Sequence, residues 1–83
     1  MIRMAKEHKV IVYSTVWCPW CRRVKEFLEE HNIKYEERDV ESNPRWAAEL
    51  VEKSGQTGIP VIDIDGEIIV GFDEPALRRA LNL

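Results

Sequence analysis

The chain has 83 residues, a formal net charge of -3 and a hydrophobic fraction of 45%, values typical of one small folded domain. The negative charge argues against nucleic acid as a partner, because phosphate binding requires a basic surface. No apolar run approaches the roughly 20 residues that span a bilayer, so we expect no membrane partner. Residues 1–9 lack the apolar stretch of a signal peptide, and we therefore expect a cytoplasmic protein.

The first half of the chain predicts a strand, a helix and a second strand. Residues 10–13 form an apolar, β-branched run that is typical of a buried strand. Pro19 suits the first position of the following helix, and Asn32 suits a left-handed residue at its end. The apolar face of this helix comprises Trp20, Val24, Phe27 and Leu28. Residues 33–40 alternate apolar and charged side chains, and their many charges predict an edge strand.

A second helix is predicted from residue 44. Asn43 is a good N-cap residue, and the proline that follows it suits the first helical position. Gly55 is a natural stop, because glycine adopts the left-handed conformation at a helix end. The predicted apolar face comprises Trp46, Ala47, Leu50 and Val51. We interpret Trp46 as a packing residue.

The last third of the chain predicts a hairpin and a closing helix. Asp65 and Gly66 separate two short apolar runs, and this pair is typical of a turn that requires positive φ at both positions. The hairpin explains Asp63 and Asp65 better than a metal site does. The last helix begins near Asp73, with Pro75 in its first turn.

The resulting order βαβαββα predicts an α/β domain. Its strand–helix–strand unit implies a right-handed parallel crossover, and the terminal hairpin adds antiparallel strands. We expect a mixed four-stranded sheet with three helices, formed by a single domain over residues 1–83. Residues 1–8 are predicted to be a flexible N-terminal extension.

Cys18 and Cys21 are the two cysteines of the chain, and they form a CxxC motif where the first helix begins. Cys18 lies where unpaired backbone N–H groups and the helix dipole favour a thiolate, and Arg22 and Arg23 add positive charge. Cys21 falls at the edge of the buried helix face. We therefore predict that Cys18 attacks a substrate disulfide and that Cys21 resolves the mixed disulfide.

Other interpretations of the cysteine pair are weaker. A structural disulfide that closes so short a loop adds little stability. A zinc site needs four ligands, and the sequence has neither a second CxxC motif nor a suitable histidine pair. His8 and His31 are isolated, and we interpret both as solvated surface residues. A dimeric iron–sulfur cluster carrier, with the cluster bridged between two chains, remains the non-enzymatic alternative.

Three segments of the chain resemble the glutaredoxin family. Residues 10–21, which end in Cys-Pro-Trp-Cys, resemble the family's active-site segment with its usual Cys-Pro-Tyr-Cys. Residues 57–60, Thr-Gly-Ile-Pro, resemble its Thr-Val-Pro loop, and residues 70–73, Val-Gly-Phe-Asp, resemble its Gly-Gly-x-Asp segment. The resemblance implies a thioredoxin-like fold with strand order 2-1-3-4. It also implies a cis peptide bond before Pro60 that faces Cys18.

The resemblance implies a thiol–disulfide oxidoreductase that reduces protein disulfides or glutathione mixed disulfides. The catalytic pair is Cys18 and Cys21, and the supporting residues are Trp17, Pro19, Trp20, Arg22 and Pro60. The backbone of Ile59 is implied to pair with the substrate's cysteine. The implied substrate or glutathione site comprises Thr15, Ile59, Gly71, Phe72 and Asp73. We expect Trp20 to be exposed beside Cys18.

The chain departs from glutathione-using members at two positions. Thr15 stands where these members usually have lysine, and Val70 stands where they have the first glycine of Gly-Gly. Gly71 and Phe72 resemble the small redoxins that reduce ribonucleotide reductase and accept electrons from thioredoxin reductase. Trp17 resembles the tryptophan before the active-site cysteine of thioredoxin. We favour glutathione as the electron donor, with thioredoxin reductase as the alternative.

The same resemblance addresses cofactors and assembly. Pro19 argues against a cluster carrier, because cluster-binding relatives typically have glycine there and lack the second cysteine. We expect a monomer that holds no bound cofactor and acts on disulfide-containing proteins.

Overall fold

The computed structural model describes residues 8–83, and the predicted N-terminal extension lies outside the described residues except for its last residue. The elements are β1 (Val10–Ser14), α1 (Pro19–Glu30), β2 (Glu36–Asp39), α2 (Pro44–Ser54), β3 (Val61–Ile64), β4 (Glu67–Val70) and α3 (Glu74–Leu81). The strands form one sheet in the order β2-β1-β3-β4. β1 pairs parallel with β2 and antiparallel with β3, and β3 pairs antiparallel with β4. The predicted element order and sheet order are confirmed.

Strand β1 is buried on both faces, because the sheet carries a core on each side. Val10 and Val12 point to the larger core, which also contains apolar residues of α1 and α3. Ile11 and Tyr13 point to the smaller core, to which Leu50 of α2 contributes. Successive side chains of a strand alternate between faces, so a strand covered on both sides requires a continuous apolar run.

Each helix begins at a residue whose side chain accepts a hydrogen bond from the first helical turn. These residues are Cys18 for α1, Asn43 for α2 and Asp73 for α3. Gly55 ends α2 with a φ of 74°. Asn32, directly after the C-cap of α1, has a φ of 58°. The predicted helix starts and stops are therefore confirmed.

The β3–β4 hairpin has positive φ at both turn residues, 54° at Asp65 and 96° at Gly66, as predicted. The Asp65 carboxylate accepts a hydrogen bond from the Lys9 amide at 2.8 Å and lies 2.5 Å from Nδ1 of His8. The side chain of His8 is only 12% exposed. The prediction that His8 is a solvated surface residue is therefore wrong, because the hairpin turn binds it.

Two further predictions about element boundaries and faces are wrong. Strand β2 begins at Glu36 and ends at Asp39, so it is half the length of the predicted segment 33–40. The Ile33 amide donates to the carbonyl of Leu28 at 2.9 Å, and it therefore closes the end of α1 instead of entering the sheet. In α2, Val51 is 43% exposed, and Leu50 is the buried residue of the predicted face.

Within residues 8–83, no helix combines the length and the apolar character that crossing a membrane requires.

Candidate active site

The two cysteines form a disulfide at the start of α1, with their Cα atoms 5.1 Å apart. Their exposure differs sharply. Cys18, the N-cap residue, is partly exposed, whereas Cys21 in the first turn is fully buried. The predicted placement of Cys21 at the edge of the buried helix face is therefore confirmed. Only one sulfur of the pair is open to an incoming reactant.

The start of α1 provides the electrostatic environment of Cys18. Its sulfur accepts a hydrogen bond from the amide of Cys21 at 3.1 Å. Its carbonyl accepts the first helical bond, from the amide of Arg22, also at 3.1 Å. Pro19 occupies the first helical position, where its missing N–H leaves no unsatisfied donor. The sulfur thus faces the positive end of the helix dipole, which favours a negatively charged sulfur after reduction.

A surface hollow of about 200 Å³, which we call the thiol hollow, is lined by Val16, Trp17, Cys18, Pro19 and Arg22. Trp17 is 84% exposed and Val16 is 68% exposed. Exposed apolar side chains that lie together form a patch, and such patches are typical of contact surfaces. The thiol hollow therefore combines exposed apolar residues with a cationic residue, Arg22, around Cys18.

A second hollow, of about 260 Å³, is lined by Trp20, Ile59, Pro60, Gly71 and Phe72. We call it the loop hollow. The Ile59–Pro60 peptide bond is cis, as the resemblance implied. The amide of Gly71 donates to the carbonyl of Pro60 at 2.8 Å and so joins the two loops that form the hollow. Gly71 has a φ of 80°, a conformation that disfavours any residue with a side chain.

Aromatic contacts connect α1 to the loop before α3. The Trp20 ring stacks on Phe72 with centroids 6.3 Å apart and an interplanar angle of 19°. Arg23 places its guanidinium 5.0 Å from the Phe72 centroid. Trp20 nevertheless remains 62% exposed, as expected from the sequence. Arg23 was predicted only as a source of charge, and its contact with Phe72 had no sequence signal.

Two predicted binding residues line neither hollow. Thr15, at the end of β1, is only 9% exposed. Asp73 is exposed, and its Oδ1 accepts a hydrogen bond from the Ala76 amide at 3.2 Å. Asp73 is therefore the N-cap of α3 whatever else it binds.

Residues 10–69 match the family model described as glutaredoxin. The chain belongs to the glutaredoxin family. It is 38% identical over 75 residues to a glutaredoxin of Pseudomonas aeruginosa, with 89% of each sequence covered. It is 40% identical over 71 residues to an uncharacterized glutaredoxin-like 8.6 kDa protein in the rubredoxin operon of Clostridium pasteurianum, covering 86% of this chain and 95% of that protein.

Solved structures agree with this assignment. A mutant of the thioredoxin-like protein BC3987 superposes with a TM-score of 0.84 at 38% identity, covering 89% of this chain and 95% of that one. The glutaredoxin of Archaeoglobus fulgidus has a TM-score of 0.83 at 21% identity, with 90% of this chain and 87% of that one covered. This similarity supports the thioredoxin-like fold. Glutaredoxins are thiol–disulfide oxidoreductases. Because this chain has the redox-active cysteine pair, it is a thiol–disulfide oxidoreductase too. Residues 8–83 contain no group of three or more His, Cys, Asp or Glu side chains arranged to hold a metal ion.

Proposed function

We propose that the chain reduces protein disulfides and glutathione mixed disulfides by two successive exchange steps. The thiolate of Cys18 attacks one sulfur of the substrate, and the other substrate sulfur leaves and takes up a proton. The Cys21 thiol then loses its proton and attacks the sulfur of Cys18, which releases the second substrate thiol. The substrate has gained two electrons, and the chain has lost them by forming its internal disulfide.

The observation that carries this division of roles is the difference in exposure between the two sulfurs. Cys18 is partly exposed, lines the thiol hollow and accepts the hydrogen bond from the Cys21 amide. Cys21 is fully buried, so an external disulfide cannot reach it. A thiolate is the nucleophile in exchange, and access decides which thiolate reacts.

We further propose that glutathione returns the electrons. One glutathione thiolate opens the Cys18–Cys21 disulfide and forms a mixed disulfide with Cys18, and a second displaces it as glutathione disulfide. Arg22 beside the sulfur and Arg23 beside Phe72 offer cations to the two glutathione carboxylates. Because Thr15 provides no cation and Val70 replaces a glycine, we expect weaker glutathione binding than in members that have both features.

Single-turnover reduction of the oxidised chain tests the electron donor. Glutathione in one reaction and thioredoxin reductase with NADPH in a second are mixed with the disulfide form, and loss of the disulfide is followed in time. Faster reduction by glutathione at millimolar concentration supports the proposal. Faster reduction by catalytic amounts of thioredoxin reductase contradicts it and assigns the chain to reductase-coupled redoxins.

One structural observation favours thioredoxin reductase, the alternative electron donor. Phe72 occupies the loop before α3 and stacks with Trp20, so the implied glutathione site contains an aromatic wall. An apolar wall suits contact with a protein surface. Whichever donor is used, we propose that the chain is cytoplasmic and monomeric.

A further inference from the structure

The loop between α2 and β3 is held by the side-chain amide of Gln56. Its Oε1 accepts a hydrogen bond from the Gly58 amide at 2.5 Å, and its Nε2 donates to the Gly58 carbonyl at 3.1 Å. One side chain thus contacts both backbone polar groups of one residue, as a neighbouring strand does in an antiparallel pair. This double contact also fixes the amide orientation, because the reversed amide would place donor against donor.

The clamp, by which we mean the paired hydrogen bonds between Gln56 and Gly58, is anchored to α2. The second hydrogen of Gln56 Nε2 is donated to Oγ of Ser54, the last residue of the helix, at 3.0 Å. Ser54 Oγ in turn lies 2.6 Å from the carbonyl of Leu50, a buried residue of the smaller core. A continuous series of hydrogen bonds therefore joins the packed helix to Gly58, next to Ile59.

Gly58 leaves room for the clamp because it lacks a side chain. A Cβ atom at this position would lie 2.7 Å from Oε1 of Gln56, closer than real Cβ contacts allow. An alanine at residue 58 therefore requires Oε1 of Gln56 to shift from the position in which it accepts the Gly58 amide. The glycine and the glutamine are thus predicted to act as one unit.

We propose that Gln56 is a positioning residue for disulfide exchange. By clamping Gly58, it fixes the adjacent backbone of Ile59, which lines the loop hollow together with Trp20. This inference rests on the proposed function, in which the Ile59 backbone pairs with the cysteine of a polypeptide substrate. Gln56 itself bonds to Ser54 and Gly58 and acts on the substrate through the loop.

The test compares Gln56→Ala and Gln56→Met with the control Thr57→Ala. Thr57 is the exposed neighbour of Gln56, and the hydrogen bonds found across residues 8–83 do not involve its side chain. The steady-state substrate is a glutathionylated peptide, and the second reaction is single-turnover reduction of the Cys18–Cys21 disulfide by dithiothreitol. Dithiothreitol reacts with the sulfur and has no peptide backbone to pair with Ile59.

For both Gln56 variants we expect KM for the peptide to rise about tenfold, the effect of losing one or two neutral hydrogen bonds. The dithiothreitol rate and kcat should stay within about twofold of those of the unaltered chain. Thr57→Ala should leave all three values unchanged. If the dithiothreitol rate of the Gln56 variants falls by as much as their KM rises, Gln56 supports the fold generally. The inference is then overturned.

A double-mutant cycle with Gly58→Ala tests whether the two residues act as one unit. Gly58→Ala should raise KM about tenfold in the unaltered chain and by less than about twofold in Gln56→Ala, because the atom it displaces is already absent. Additive effects would overturn the clamp. If the unaltered chain reduces no disulfide at all, the proposed function fails. If the unaltered chain is active and Gln56→Ala has the same KM, only the positioning role of Gln56 is refuted.

Discussion

The backbone amide of Cys21 donates a hydrogen bond to the sulfur of Cys18 across 3.1 Å. The residue that is proposed to resolve the mixed disulfide thus also holds the attacking sulfur, through its main chain. A replacement of the Cys21 side chain retains this amide. Variants at position 21 can therefore be used to study Cys18 alone.

In reduced Cys21→Ser, we expect the rate at which Cys18 reacts with iodoacetamide to reach half its maximum at a pH below about 7.5. The reason is that thiolates at a helix start form at lower pH than ordinary ones. The measurement is the alkylation rate as a function of pH. Arg22→Gln should shift this profile to higher pH, whereas Arg45→Gln, at the exposed start of α2, should not. A profile centred above pH 8 would exclude Cys18 as the activated nucleophile.

Single replacements of the two cysteines should have unequal effects. Cys18→Ser should abolish exchange, because the remaining sulfur is buried and cannot meet a substrate. Cys21→Ser should accumulate a disulfide between Cys18 and the substrate, which intact-mass measurement detects under non-reducing conditions. It should still turn over glutathionylated substrates, in which glutathione can replace the missing thiol. Equal behaviour of the two variants would contradict the division of roles.

Asp73 has a demonstrated cap contact and a proposed ligand contact, and two substitutions separate them. Asp73→Ala removes the cap of α3 and should lower the free energy of unfolding by about 0.5–2 kcal/mol. Asp73→Asn retains a good cap residue and removes the charge, so stability should hardly change. If the carboxylate binds the amino group of glutathione, both variants raise KM for glutathione about tenfold, since hydrogen bonds to charged groups contribute roughly 1.5–3 kcal/mol. A normal KM in Asp73→Asn would exclude the ligand contact.

Glu37 should make stability depend on pH in the acid range. Hydrogen bonds from Lys25, at 2.7 Å, and from Ser14, at 2.9 Å, lower the pKa of Glu37. A lowered pKa in the folded state adds stability above the unfolded value of about 4.3, and this stability is lost as pH falls through the folded pKa.

The variant that tests this dependence is Lys25→Met, with Lys34→Met as the matched control at an exposed position. Urea unfolding at a series of pH values should show a smaller loss of stability on acidification for Lys25→Met. Lys34→Met should follow the unaltered chain. Parallel curves for all three proteins would show that the Lys25–Glu37 pair does not contribute to the pH dependence.

Most of the fold could be predicted because its decisive signals are local. The Asp65–Gly66 turn and the capping residue Asn43 each determine a backbone conformation within four residues of sequence. Strand β1 was identifiable because burial on both faces demands an uninterrupted apolar run. Its central position gives it two neighbours, β2 in parallel and β3 antiparallel.

The predictions from sequence failed where a specific hydrogen bond, local or long-range, overrode the residue pattern. Ile33 is apolar and alternates with Lys34, yet its amide closes α1, so the strand cannot include it. The contact between His8 and Asp65 spans 57 positions, so the residues around His8 in the sequence do not signal it. The Gln56 clamp also lacked a signal, because a side chain that bonds to backbone leaves no periodicity. The position of Gln56 between Gly55 and Gly58, four residues before Pro60, is the one local feature that marks it.

The burial of Cys21 one turn behind Cys18 has a consequence for oxidative damage. A peroxide that reaches the accessible sulfur converts it to a sulfenic acid, the first step toward irreversible sulfinic and sulfonic acids. The Cys21 thiol can condense with that sulfenic acid, release water and restore the internal disulfide before a second peroxide arrives. The cysteine pair therefore limits its own overoxidation, and the disulfide that results is the same one that the electron donor already reduces.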